Sequence, residues 1–188
     1  MLLALTRGAG LPGLAAMAEQ FERMGVMFHR PLLAVHALAI RTWLRDANIP
    51  YIEDPSNSDE SLTRNRIRRQ LLPVLDENFP GFRAQFARSA RHAAQGKRLL
   101  TSLAERDLAQ TGSPPAIAEL QKMASERQAN VLRHWLKSSY GTSPSDAQLR
   151  ELIKQIGACV TRGHRIQLKV GAGQVRRMGK LIVFEPLA

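Results

Sequence analysis

Apolar residues along the chain recur first at helical spacing and, near the end, at every second position, and these changes of period mark out the elements. Met1 to Leu5 reads as the end of a helix. It runs into Arg7-Gly8-Ala9-Gly10-Leu11-Pro12-Gly13-Leu14, a loop whose glycines allow positive φ or a close backbone approach. Val26 to Phe28 predicts a short strand that ends before Pro31, which has no amide to give a ladder. From about Ala34 to Ala47, residues Ala37, Ile40, Leu44 and Ala47 share one helical face, until Asn48-Ile49-Pro50 stops the run. Tyr51-Ile52 is expected to be extended.

Between Phe82 and Leu108, the residues Phe82, Phe86, Ala90, Ala93, Leu100 and Leu103 predict one apolar face of a long helix. Thr111-Gly112-Ser113-Pro114-Pro115 is a turn cluster and a domain boundary. Ser125 with Gln128 fits a capping box ahead of Ala129, Leu132, Trp135 and Leu136, and Ser143-Pro144 opens a helix carrying Leu149, Leu152, Ile153 and Ile156. After Gly163 the period becomes two, with Ile166, Leu168 and Val170, then Val175 and Arg177, then Leu181 to Phe184. Turns at Gly171-Ala172-Gly173 and Gly179-Lys180 make this a three-stranded antiparallel meander. The predicted class is α+β, predominantly helical.

Charge changes this picture more than composition does. The 44% apolar and 23% charged content belongs to an ordinary folded chain, but 27 Lys and Arg against 16 Asp and Glu leave a net charge of +11. Such a surface favours polyanions, nucleic acid first, with a merely solvated basic surface as the plain alternative. Between Arg64 and Arg98 nine residues are basic and only Asp76 and Glu77 are acidic, so the outer face of the long helix, with Arg83, Arg88, Arg91, Lys97 and Arg98, is the strongest positive stripe and is assigned to an RNA backbone. Cys159 is the only cysteine, which rules out an internal disulfide, and the five scattered histidines fit no zinc spacing. No metal site is expected. With no apolar run long enough to span a bilayer and no leader-like start, the expected location is the cytoplasm, without membrane binding.

The segment from Glu53 to Arg69 separates its acids from its bases. Glu53-Asp54-Pro55-Ser56-Asn57-Ser58-Asp59 reads as a turn in which Asp or Asn bonds backbone amides, and Asp59 or Ser61 is placed to cap a helix carrying Arg64, Asn65 and Arg68. Two readings stay open at this point. In one, Arg64 and Arg68, four apart, pair with Asp59 and Glu60 in a self-satisfying charged cap. In the other, the two guanidinium groups fork onto phosphate oxygens, while Asn57 and the carboxylates orient them or hold magnesium through water.

Taken in order, Arg7-Gly8-Ala9-Gly10-Leu11-x-Gly13-Leu14, Arg30-Pro31-Leu32, Glu53-Asp54-x-Ser56-Asn57-x-Asp59 and Arg64-Asn65-x-x-Arg68 resemble the tRNA(Ile)-lysidine synthetases of the PP-loop ATP-pyrophosphatase superfamily. The resemblance is close over the first 75 residues and weaker beyond. It implies residues 1–78 as the C-terminal part of an α/β PP-loop catalytic domain, 79–112 as a linker helix and 113–188 as a tRNA-binding domain. It further implies ATP and magnesium as cofactors of the full-length enzyme. They serve adenylation at C2 of cytidine 34 in the CAU anticodon of tRNA(Ile). Free lysine then displaces AMP, and the tRNA changes from methionine to isoleucine identity.

By the same resemblance Arg7, Gly8, Gly10, Glu53, Asp54, Asn57, Asp59, Arg64, Asn65 and Arg68 are candidates for nucleotide or tRNA contact, with Arg64 and Arg68 the candidates for catalysis. The family's Ser-Gly-Gly-x-Asp-Ser loop is not in the sequence. The expectation is therefore a truncated gene product, an excised piece or a misassigned start, inactive alone and holding no cofactor tightly. A noncatalytic tRNA- or RNA-binding module is the alternative, and a thiolase-type tRNA modifier is disfavoured by the solitary Cys159. The resemblance leaves monomer and homodimer both open.

Overall fold

A computed structural model describes residues 1–161 and 163–187. The chain divides into two units, Met1–Lys97 and Arg98–Ala188, with the division falling inside one long helix.

In the first unit, α1 (Leu2–Leu5) and α2 (Leu11–Leu14) flank the glycine loop. Gly8 has φ +63°, and a Cβ on Gly13 would stand 2.6 Å from that of Ala9, so these two positions need glycine for different reasons. Gly10, at φ −75°, needs neither. The strand expected at Val26 is half of a hairpin, β1 (Gln20–Arg23) with β2 (Val26–His29). Arg23 pairs with Val26, so Met24-Gly25 makes a two-residue turn with both φ values positive, 53° and 76°. Phe21 stacks on Phe28 at 5.0 Å, and the Arg30 guanidinium lies 4.3 Å from the Phe21 ring while donating to the Ala18 carbonyl at 2.8 Å.

Helix α3 (Ala37–Asp46) starts three residues later than the apolar period suggests, because His36 caps it: Nδ1 accepts from the Leu38 amide at 3.3 Å. None of its residues is buried. An unbroken helical run follows the charged loop, α4 (Thr63–Arg66), a π turn (Ile67–Leu71) and α5 (Leu72–Asn78). Pro73 lies inside that run and has no amide for the carbonyl four residues back, which is why the turn before it widens. Helix α6 (Phe82–Thr111) buries Phe82, Ala90, Ala93 and Ala104. Leu100, expected on the same face, is instead exposed, and its place inward is taken by Ala104, Asp107 and Thr111.

The second unit packs α7 (Ile117–Gln121), α8 (Ser125–Tyr140) and α9 (Asp146–Gly157) on a sheet of β3 (Gln167–Val170), β4 (Gly173–Met178) and β5 (Leu181–Pro186). The sheet is the expected antiparallel meander in the order β3-β4-β5. Leu120, Trp135, Leu152, Ile156, Val175 and Ile182 are fully buried at its centre. The capping box at Ser125 does not form. Ser125 is already helical behind Ala124, and buried Gln128 turns inward to donate to the Met123 carbonyl at 3.0 Å. The box forms at the next helix, where Ser145 Oγ accepts from the Gln148 amide at 3.2 Å and Gln148 Oε1 accepts from the Ser145 amide at 2.8 Å. Ser143-Pro144 thus precede α9 without capping it. No described helix is long and apolar enough to cross a membrane.

Candidate functional site

The loop ahead of α4 is organised by two aspartates and closed by one buried asparagine. Asp54 caps a single 3-10 turn (Pro55–Asn57), its Oδ1 accepting from the Ser56 amide at 2.8 Å. Asp59 repeats the device: Oδ1 accepts from the Ser61 amide and Oδ2 from the Ser61 hydroxyl, each at 2.8 Å. Asn65, 1% exposed, joins the two turns by donating from Nδ2 to the Ser56 carbonyl at 2.8 Å and to the Asp59 carbonyl at 2.7 Å. Its Oδ1 is buried and has no hydrogen-bond partner among the described residues.

These bonds hold both carboxyls below the ordinary aspartate value of 3.8. For Asp54 the leading cause is the Ser56 amide, with the charge of Arg64 adding to it; for Asp59 it is the Ser61 side chain. Neither aspartate caps α4, whose N-cap Leu62 offers no side-chain bond.

Of the two open readings, the pairing of Arg64 and Arg68 with Asp59 and Glu60 is absent among the described residues. Glu60 turns instead to Arg69 Nη1 at 3.3 Å and Gln70 Nε2 at 2.8 Å. Arg64 and Arg68 stay exposed, one on the last turn of α4 and one inside the π turn. Asn57 is exposed as well, while Glu53 is bonded to Arg41 at 3.2 Å. The acids of this segment are therefore occupied locally, and its two central arginines are free to meet an outside anion.

Arg7 is exposed and lines a hollow with Leu3, Ala4 and Met17, to which no residue from Glu53 to Arg68 contributes; Gly8 and Gly10 shape the adjoining turn. Along α6, Arg83 is drawn to Asp76, with bonds of 3.2 and 2.5 Å that hold the aspartate below its ordinary range and the guanidinium above. Arg88, Arg91, Lys97 and Arg98 are exposed and make no ion pair among the described residues. Arg88 and Arg91, three apart, lie on one face of the helix.

An ATP phosphate suits the free guanidinium groups of Arg64 and Arg68. Magnesium is less well served: no group of three His, Cys, Asp or Glu side chains gathers to hold a metal among the described residues, and Asp54 and Asp59 already accept serine donors. The clamp by Asn65 and the Glu60–Arg69 pair leave no signal in the sequence pattern. A buried asparagine nine residues from the carbonyl it holds leaves no periodic trace.

Residues 1–75 match the family model described as a PP-loop domain, and residues 116–181 the one described as the TilS substrate binding domain. The chain is 55% identical over 188 residues to a tRNA(Ile)-lysidine synthase of Polaromonas naphthalenivorans (strain CJ2), covering 100% of the chain and 57% of the relative. It is 38% identical over 187 residues to a tRNA(Ile)-lysidine synthase of Bordetella pertussis (strain Tohama I), covering 94% and 58%. A protein of the same name from Burkholderia pseudomallei (strain K96243) is 39% identical over 164 residues, covering 84% and 34%. The chain spans about half the length of the first two curated relatives and about a third of the last.

Proposed function

The chain belongs to the tRNA(Ile)-lysidine synthase family, and from that membership we propose that it serves the ATP-dependent joining of lysine to C2 of cytidine 34 in the CAU anticodon of tRNA(Ile). The observation that carries the reading is the loop of residues 53–69. Its aspartates are bonded to local amides and a hydroxyl and its glutamates to Arg41 and Arg69, while Arg64 and Arg68 are exposed and make no ion pair among the described residues. In this reading the two guanidinium groups neutralise phosphate charge during adenylation of the cytidine, before free lysine displaces AMP. Asp54, Asp59 and Asn65 shape the loop ahead of those groups, Glu53 and Asn57 belong to the same loop, and Arg7, Gly8 and Gly10 are assigned to nucleotide or tRNA contact as well. No step is assigned to magnesium, since no group of three His, Cys, Asp or Glu side chains gathers among the described residues.

Exposed Arg88, Arg91, Lys97 and Arg98, with Arg83 beside Asp76, take the tRNA backbone in this account, and the reaction takes place in the cytoplasm. A chimera tests it: these 188 residues replace their counterparts in the Polaromonas naphthalenivorans relative, and incorporation of labelled lysine into a CAU-anticodon tRNA(Ile) is measured with and without ATP. Lysine incorporation that depends on ATP and collapses when Arg64 and Arg68 become Ala supports the reading. A folded chimera that binds the tRNA and adds no lysine sinks it in favour of a module that only binds RNA.

A further inference from the structure

The second unit contains a cleft that plays no part in the chemistry above. It measures about 890 Å3 and lies where residues 159–161 and 163–166 meet the β3–β4 pair and the Gly179-Lys180 turn. Its shape is set by Arg177, which occupies an inward position of β4 beyond Val175. The Arg177 Nη1 donates to the Thr161 carbonyl at 2.7 Å, the His164 carbonyl at 2.9 Å and Cys159 Sγ at 3.1 Å, and its Nε donates to the Gly179 carbonyl at 2.8 Å. A guanidinium spent on backbone carbonyls holds one wall of the cleft against the end of the sheet.

The open side of the cleft has a different chemistry. Arg165, Arg176 and Lys180 line it and are exposed, and none of its described lining residues is acidic. Arg176 shares its charge with Glu185, which lies outside the lining, whereas the side chains of Arg165 and Lys180 make no ion pair among the described residues. The neutral amides of Gln167 and Gln174, 3.2 Å apart, complete the floor on the outer face of the sheet. The described lining contains no Phe, Tyr or Trp, so it offers no platform for stacking several bases and no large apolar surface for a hydrophobic ligand. Free cations without aromatic platforms suit a phosphodiester backbone, gripped for position with no reading of sequence.

We propose that this cleft is a backbone-binding site for the substrate RNA, held by Arg165, Arg176 and Lys180. The inference rests on the reading that the substrate is a tRNA, and it adds a place and a mode of contact. The test is binding of the full chain to a fluorescent tRNA(Ile) transcript across a range of KCl concentrations. It compares the unsubstituted chain, an Arg165→Ala/Lys180→Ala pair, and an Arg150→Ala/Lys154→Ala pair on α9 that removes equal charge away from the cleft.

The cleft pair is expected to bind roughly tenfold more weakly at moderate salt and to reduce the slope of log affinity against log salt by about two, while the α9 pair stays near the unsubstituted slope. Equal slopes for the two pairs, with tight binding by the unsubstituted chain, overturn the cleft and leave the tRNA reading standing. An unsubstituted chain that binds no tRNA overturns both.

Discussion

Arg127 closes on the Asp107 carboxylate with two nitrogens, Nε on Oδ2 at 3.1 Å and Nη2 on Oδ1, and Asp107 has no solvent exposure while the arginine side chain is 45% exposed. The pair ties α6 to the first turn of α8, and it raises the affinity of the guanidinium for its proton through the side-chain hydrogen bond first and the charge second. Removing the arginine strands a buried carboxylate, whereas neutralising the aspartate leaves the partner reaching for water. Arg127→Ala is therefore expected to lower the denaturation midpoint more than Asp107→Asn, which costs about 1–3 kcal/mol. Urea unfolding of both variants checks the order, and an Arg127→Ala chain as stable as the unsubstituted one contradicts it.

Asn65 and the arginines beside it separate shape from charge. Asn65→Asp replaces a double donor with a carboxylate facing two carbonyls, and is expected to destabilise the loop by about 1–3 kcal/mol. Arg64→Ala with Arg68→Ala touches only exposed side chains and should shift stability by no more than about 0.5 kcal/mol each, while weakening binding of tRNA or ATP. Melting curves run beside a binding titration distinguish the two; a large loss of stability in the double arginine variant refutes the assignment.

Acid should act on this loop late. Asp54 and Asp59 both have folded values depressed below 3.8, so their contribution to stability is fully present above 3.8 and is lost as pH falls through those lower values. Carboxyl carbon shifts followed by NMR should give midpoints below 3.8 for both, with the amides of Ser56 and Ser61 reporting loop opening over the same range. Midpoints at or above 3.8 contradict the Asx-type bonding.

Three glycines of the second unit should respond oppositely to alanine. A Cβ on Gly173 would lie 2.2 Å from Phe184 Cζ and 2.6 Å from the Glu185 carbonyl, and one on Gly171, at φ +58°, would lie 2.4 Å from Thr142 Oγ1. Gly173→Ala and Gly171→Ala are each expected to cost about 1–3 kcal/mol. Gly157 ends α9 with open space around it, and Gly157→Ala should stabilise by about 0.4–1 kcal/mol. Thermal unfolding of the three variants measures the contrast, and a stabilising Gly173→Ala rules out the close approach of β4 to β5.

The sheet of the second unit was legible because Ile166, Leu168 and Val170 alternate without interruption and glycines mark both turns. The hairpin of the first unit was half legible. Gln20-Phe21-Glu22-Arg23 offers one apolar residue in four, and its turn uses methionine where the geometry favours asparagine or aspartate. Ser125-x-x-Gln128 and Ser145-x-x-Gln148 satisfy the same capping pattern; only packing, which buries Gln128 and leaves Gln148 half-buried with its side chain within reach of the Ser145 amide, decides between them.

For the candidate site, the segment and its charged residues stood out from composition, but the partners did not. Glu60 chose Arg69 over Arg64 and Arg68, and Arg177, one more inward position in an alternating strand, proved to be a clamp on carbonyls. Both outcomes depend on contacts made across loops, which no local period encodes.

The buried amide of Asn65 also has a chemical lifetime. Asparagine ages to aspartate when the backbone nitrogen of the next residue attacks the side-chain carbonyl, and such hydrolysis would install the Asn65→Asp change with no codon altered. Here that nitrogen belongs to Arg66, and it is held in a helical hydrogen bond to the Leu62 carbonyl at 3.2 Å. The first turn of α4 therefore withholds the one nucleophile able to erase the loop it supports, and the durability of that loop is set by the same hydrogen bonds as its geometry.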